Sequence, residues 1–288
     1  MKSQPECQRC FLRQSADAAR RAGLDDSAAA VLQERVRVEL AGMSDADTPP
    51  VRASRIHALV RQMSGNPDPY RTAKREATAH ALALYPYLRW RINEAEDPIE
   101  MAVRIAIAGN IIDLGVADTY DLEASIERVL TGPLAINQLP RLKNALSEAD
   151  ELLYLADNAG ETVMDRLLIE TINKPTTYVV KGGAAVNDAT REDAIGAGLD
   201  QVCTVIDNGA AILGTLFEQC TDELKQRFDR APLIIAKGMA NYESLYGSRR
   251  GLFFLLQTKC AVVSAHLGVP EKSLIVLEDS ARLSDALR

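Results

Sequence analysis

Residues Leu153 to Glu170 read LYLADNAGETVMDRLLIE. The opening apolar run has the length and content of a buried strand. It stops at Asp157-Asn158, two residues that suit strands poorly and oxygen ligation well. Gly160 permits a turn, and Glu161 opens a stretch with helical apolar spacing. Strand, polar turn and helix in immediate succession are half of a crossover unit. This reading decides that the surrounding chain is α/β.

Downstream, the same alternation repeats. Short apolar runs ELLYLA, TTYVV, QVCTVI, PLIIA, GLFFLLQ (or CAVVSA) and SLIVLE alternate with helical stretches. That pattern predicts a mostly parallel sheet. The runs are apolar throughout, as a sheet covered on both faces requires. Upstream, the spacing is helical, and no strand pattern of any strength appears before about residue 150. Pro86 is expected to break the long helix that follows Tyr70. The chain therefore divides into a helical part, residues 1–147, and an α/β part, residues 148–288.

Composition narrows the function. The 288 residues are 47% hydrophobic and 25% charged, which is enough to bury a large core. The net charge is −7, and RRAGL and GSRRG are isolated basic pairs. Nucleic acid is therefore not an expected partner. The N-terminus MKSQPECQRCFLRQ lacks the apolar core of a secretion signal, and no apolar run could span a bilayer. Five cysteines, an odd number, suit a reducing compartment, so a cytoplasmic protein without a membrane partner is expected.

Ligands of open parallel sheets bind beyond the carboxyl ends of the strands. Four such ends carry Asp157, Asn158, Gly160 and Glu161; Lys181, Gly182, Gly183, Asn187 and Asp188; Asp207, Asn208 and Gly209; and Lys237, Gly238, Asn241 and Glu243. Any one of these turns is ordinary turn chemistry. Four on one sheet edge converge on one crevice, and Lys181 and Lys237 each end a strand where packing does not ask for a lysine. Carboxylate and amide oxygens suit a hard divalent cation, while lysines and exposed backbone N–H groups suit phosphate. Together they describe a metal-plus-phosphate site.

The stretches LADNAGE, VVKGGAAVNDAT, VIDNG and IIAKGMANYESL resemble the motifs of the domain-of-unknown-function-89 family. That family is also called acidic-residue methyltransferase-1-like, or the damage-control phosphatases. CQRC, DPYRTAKREAT, AIAGNIIDLG and TKCAVVSAHLG are similar to its shorter prokaryotic branch, so the likeness runs from Cys7 to about Gly268. The resemblance implies a helical N-terminal part on a Rossmann-like three-layer α/β/α domain. It implies a metal-dependent phosphatase acting on small phosphorylated metabolites, sugar phosphates or damaged ones. Its motifs place Asp157, Asn158 and Asp188 as metal ligands, Lys181 and Lys237 on the substrate phosphate, and Asn110 and Asp113 as closing the site. Met239, Tyr242, Asn208 and Ala211 depart from the family pattern on the substrate side.

The metal expected is Mg²⁺, Mn²⁺, Co²⁺ or Ni²⁺, activating a water toward phosphorus. Glu161 and Asp207 are both candidate bases, and direct attack by Asp157 is the alternative. Gly182, Gly183, Asn187, Asp207, Gly238, Asn241 and Glu243 are expected to contact substrate. Cys7 and Cys10 are spaced C-x-x-C, and with Cys260, and His57 if near, they form a candidate second metal or redox site. Two other functions remain. A methyltransferase using S-adenosylmethionine would want a glycine-rich loop after the first strand, and DNAGET has one glycine. A non-enzymatic phosphate- or metal-binding module is the other.

Overall fold

The computed structural model describes residues 1–44, 46–109, 126–249 and 251–279. Five helices lead: α1 (Pro5–Arg21), α2 (Asp26–Ala41), α3 (Pro49–Ser64), α4 (Arg71–Asn93) and α5 (Pro98–Ala108). Their starts follow from local chemistry. Proline occupies the first turn of α1, α3 and α5, where its missing N–H costs nothing. The side chain of Asp25 caps α2 by accepting the Ala28 N–H at 2.8 Å, and Asp97 caps α5 by accepting from Glu100 at 3.0 Å.

Pro86 does not break α4, which continues to Asn93. Proline removes its own N–H and frees the carbonyl four residues back, here Leu82. Both Leu82 and Pro86 face solvent, so water can take that carbonyl.

Further along the described residues come β1 (Leu134–Asn137), α6 (Leu139–Glu148), β2 (Leu152–Leu155), α7 (Thr162–Ile172), β3 (Thr176–Val180), α8 (Arg191–Gly196), β4 (Thr204–Asp207), α9 (Asp222–Arg230), β5 (Ile234–Lys237), α10 (Gly238–Leu245), β6 (Leu252–Gln257), α11 (Ala261–Leu267) and β7 (Leu274–Glu278), besides short helical turns. The seven strands form one sheet in the order β1-β7-β6-β5-β2-β3-β4. Among the described residues only the β6–β7 strand pairing is antiparallel. GLFFLLQ is the strand, whereas the segment after Cys260 is helix α11. The expectation of no strand before residue 150 is corrected by β1. It has only four residues, alternately half-buried and exposed, and its partner β7 comes from the far end of the chain.

Alternation along β2 builds the layers. Leu152 and Tyr154 face a core with Val163 and Leu167 of α7 and Val103 and Ile107 of α5. Leu153 and Leu155 face the opposite core with Leu224 and Phe228 of α9 and Tyr242 of α10. The result is a three-layer α/β/α arrangement. A third core, including Phe11, Leu32, Val36 and Ile56, joins α1, α2 and α3. Helix α5 packs along α7, which binds the N-terminal helices to the sheet. Shortening the fully buried Leu167 to alanine should cost about 2–5 kcal/mol.

The strand order positions the site. From β2 the chain steps to β3 and β4 on one side, then returns to place β5 on the other. The carboxyl ends of β2 and β5 therefore flank a topological switch point, where such sheets open a crevice.

Candidate active site at the strand switch point

Asp157 and Asn158 leave β2 at that point, and an isolated bridge joins Asn158 to Asp188. The Ala189 N–H donates to the Asp157 carbonyl at 2.8 Å, and the Ala159 N–H donates to the Asn187 carbonyl at 2.9 Å. Backbone pairing thus holds the β2 and β3 turns together. Val186, just before Asn187, has φ of 51°. A β-branched residue resists that conformation, so the loop is strained where it aims Asn187 and Asp188.

A cavity of about 500 Å³ opens over these residues, within the usual size of small-molecule sites. Asp157, Asn158, Asn187 and Asp188 line it. Arg9, Arg13 and Gln14 of α1 line another part of its wall.

The charges beneath the cavity are unbalanced. Asp157, Asp188, Glu161 and Asp165 are four buried carboxylates, and Lys181 and Lys237 are the buried ammonium groups among them. With all six groups charged the formal surplus is two negative charges, which is what one divalent cation would neutralise. Burial pushes the Asp157 carboxyl well above the usual range, and repulsion from Glu161 and Asp188 adds to this; Lys259 and Lys181 oppose it. Two carboxylates and an amide from Asp157, Asp188 and Asn158 are a hard-cation donor set. Among the described residues, no group of three or more His, Cys, Asp or Glu side chains is gathered to hold an ion, so this site depends on its asparagine.

Gly238 makes room for Asp157. Its φ is +78°, and a Cβ there would lie 1.9 Å from Asp157 Oδ2. Helix α10 can therefore start against the carboxylate only with glycine.

Other residues expected at the site brace it. Lys237 is fully buried, and its Nζ donates to the Ala106 carbonyl, Glu161 Oε2 and Asp165 Oδ1, each at 2.7 Å. Burial alone would lower this ammonium, but Asp165 and Glu161 outweigh it and hold it above its ordinary value. Lys181 donates to the Gly214 carbonyl and lies 3.4 Å from Asp188 Oδ2. Both lysines thus have structural partners, contrary to the reading that packing asks for none. Glu161 is fully buried and accepts from Asn158 Nδ2 at 2.6 Å. Asn241 donates to the Ala156 and Lys237 carbonyls and accepts from Thr215, tying β2 to β5.

Asp207 ends β4 at the sheet edge. It accepts the Gly209 N–H at 3.0 Å and faces Arg191 at 3.6 Å, outside the cavity lining. Gly182 is pressed on Gly209, where a Cβ would come within 2.5 Å of backbone, and Gly183 faces Ala211. Their glycines serve close packing of β3 on β4. Asn110 and Asp113 lie outside the described residues.

Cys7, Cys10 and Cys260 line the same cavity, whereas His57 is buried on α3 against Tyr70 and does not. Burial raises the Cys7 thiol, offset in part by the Gln4 N–H. Cys10 Sγ accepts from Gln14 Nε2 at 3.5 Å.

Glu243 also lines the cavity. Burial pushes its carboxyl up to about 7, against the pull of the N-terminal ammonium. The folded chain therefore holds this proton more tightly than the unfolded chain, whose value is near 4.5. Stability falls as pH rises between those values, and the loss is complete above about 7. Glu243→Gln should therefore be more stable than wild type at about pH 8, by roughly 1–3 kcal/mol, and similar at about pH 4. Urea midpoints at the two pH values check this; an equal difference at both would contradict it.

Lys259 is the cavity residue that strand-end reasoning missed. It follows β6, lines the cavity and acts electrostatically on Asp157. The TKC segment after a fifth strand held the signal.

The chain matches the damage-control phosphatase ARMT1-like domain over residues 3–275. The chain belongs to this family. An uncharacterised protein of Methanocaldococcus jannaschii is 35% identical over 96% of each chain. A damage-control phosphatase of Pyrococcus horikoshii is 33% identical over 82% of this chain and 83% of its own, and one of Archaeoglobus fulgidus is 36% identical over 75% and 78%. A solved domain-of-unknown-function-89 structure from Pyrococcus horikoshii superposes with a TM-score of 0.90 at 31% identity, covering 97% of this chain and 100% of that one. That solved relative thus shares the fold of this chain. Among the described residues no helix is long and apolar enough to cross a membrane.

Proposed function

We propose that this family member is a divalent-metal-dependent phosphatase of small phosphate monoesters. The observation that carries the reading is the donor set of Asp157, Asn158 and Asp188 lining a cavity of about 500 Å³, within a buried cluster of four carboxylates and two ammonium groups. A bound divalent cation supplies an acidified water and a partner for phosphoryl oxygens.

The chain's own residues do the rest. Asp157, Asn158 and Asp188 would hold the ion. Lys181 holds Asp188 in place, and Lys259 offers the cavity an ammonium for phosphate oxygens. Both Glu161 oxygens are engaged, by Asn158 and Lys237, so its role is orientation rather than proton transfer. Asp207 is outside the cavity lining and faces Arg191, so we do not assign it as the base. Arg9 and Arg13 line the cavity wall contributed by α1, where the non-reacting part of a phosphorylated metabolite would lie.

The test is phosphate release from a panel of sugar phosphates after chelation, then after restoring Mg²⁺, Mn²⁺, Co²⁺ or Ni²⁺. Activity should vanish with the metal and return with at least one ion. Full activity in chelated protein would refute metal dependence. Inactivity with every ion would favour a binding module.

A further inference from the structure

Below the cavity floor, five fully buried residues form one hydrogen-bonded chain. Tyr154 donates to Asp165 Oδ1 at 2.7 Å, and Tyr178 donates to Asp165 Oδ2 at 2.8 Å. Lys237 Nζ joins Asp165 Oδ1 to Glu161 Oε2, with 2.7 Å to each. Glu161 Oε1 then accepts from Asn158 Nδ2 at 2.6 Å.

Lys237 Nζ can only donate to Asp165, and both tyrosine hydroxyls lie within hydrogen-bond reach of its two oxygens. Two stacked tyrosines, with ring centroids 5.3 Å apart, fix it from the sheet side. Such a chain is a poor way to gain stability, because well-packed apolar side chains commonly serve as well as a buried ion pair. Its geometry serves something else. An amide presents oxygen and nitrogen in nearly the same shape, and a half-turn exchanges them. Asn158 Nδ2 points at two acceptors, Glu161 Oε1 and Asp157 Oδ2, the latter at 3.1 Å. That fixes the oxygen on the other side, where it accepts from Asn187 Nδ2 at 2.8 Å and keeps a second lone pair. Turned over, the amide would offer a cation N–H groups instead.

We infer that Asp165 is a positioning residue: through Lys237 and Glu161 it fixes the Asn158 amide with its oxygen available as a cation ligand. Tyr154 and Tyr178 hold Asp165 in that task. This inference rests on the metallophosphatase reading.

The test is the Mn²⁺ dissociation constant of chelated, folded protein, followed by electron paramagnetic resonance. Wild type, Asp165→Asn and Tyr178→Phe are compared, with kcat measured beside each constant. Asp165→Asn puts N–H groups where donors converge, and should weaken Mn²⁺ about 10–100-fold and lower kcat. Tyr178→Phe keeps the carboxylate and should weaken Mn²⁺ by less, in the same direction. If Asp165→Asn fails to fold, Tyr178→Phe decides the question. Wild-type protein that binds none of Mn²⁺, Mg²⁺, Co²⁺ and Ni²⁺ would overturn the metallophosphatase reading. Wild-type affinity in the folded variants, even with lowered melting temperatures, would leave that reading intact and overturn the positioning role.

Discussion

Gly238→Ala is expected to reduce turnover by about 100-fold or more while leaving a folded protein. The new Cβ would sit 1.9 Å from Oδ2 of Asp157 and 2.2 Å from its carboxyl carbon. No rotamer of alanine relieves that overlap, so the carboxylate or the start of α10 must move by about 1 Å. A displacement of that size at a reacting centre costs on the order of 100-fold. The φ of +78° adds about 1–2 kcal/mol of backbone strain for any residue with a Cβ. Steady-state kinetics and thermal melts together check both parts. Unchanged kcat in Gly238→Ala would mean that Asp157 is not held where the structure places it.

Asp157→Asn is expected to abolish metal-supported turnover, by on the order of 1000-fold or more. It removes one of the two charged ligands but keeps the side chain's shape. Its effect on the metal-free fold has the opposite sign. Asp157 is buried and repelled by Glu161 and Asp188, so neutralising it relieves both penalties. The metal-free variant should therefore melt above the metal-free wild type. Loss of activity with gain of stability distinguishes a ligand from a structural carboxylate, whose removal would lower both.

Much of this was legible in the chain, for reasons that can be named. The β2 turn announced itself because Asp157 and Asn158 interrupt an apolar run, and a sheet edge gives such residues a direction. Strand order was not legible. β4 lies at the sheet edge, so Asp207 is carried away from the crevice, while β5 lies beside β2, so Gly238 meets Asp157. Turn composition alone treats the two alike. Lys237 stood out as a lysine ending a strand, but its partner Asp165 lies within α7 and in sequence looks like a solvent-facing helix residue. What reads as a phosphate grip has a carbonyl and two carboxylates as its hydrogen-bond partners. Strand β1 was hidden by its length and by a partner more than a hundred residues away. Pro86 carries a breaker's signal that solvent exposure annuls.

The central claim is that one divalent cation, held by Asp157, Asn158 and Asp188, offsets the excess of buried carboxylates over buried lysines around them. Thermal unfolding of wild type and Asp157→Asn, each chelated and then given Mn²⁺, tests it most directly. The order of stability should reverse: Asp157→Asn melts higher without the ion, and wild type melts higher with it. At Mn²⁺ about 100 times its dissociation constant, the gain to wild type should be about 2.7 kcal/mol. Identical wild-type melts with and without Mn²⁺, Mg²⁺, Co²⁺ or Ni²⁺ would contradict the account.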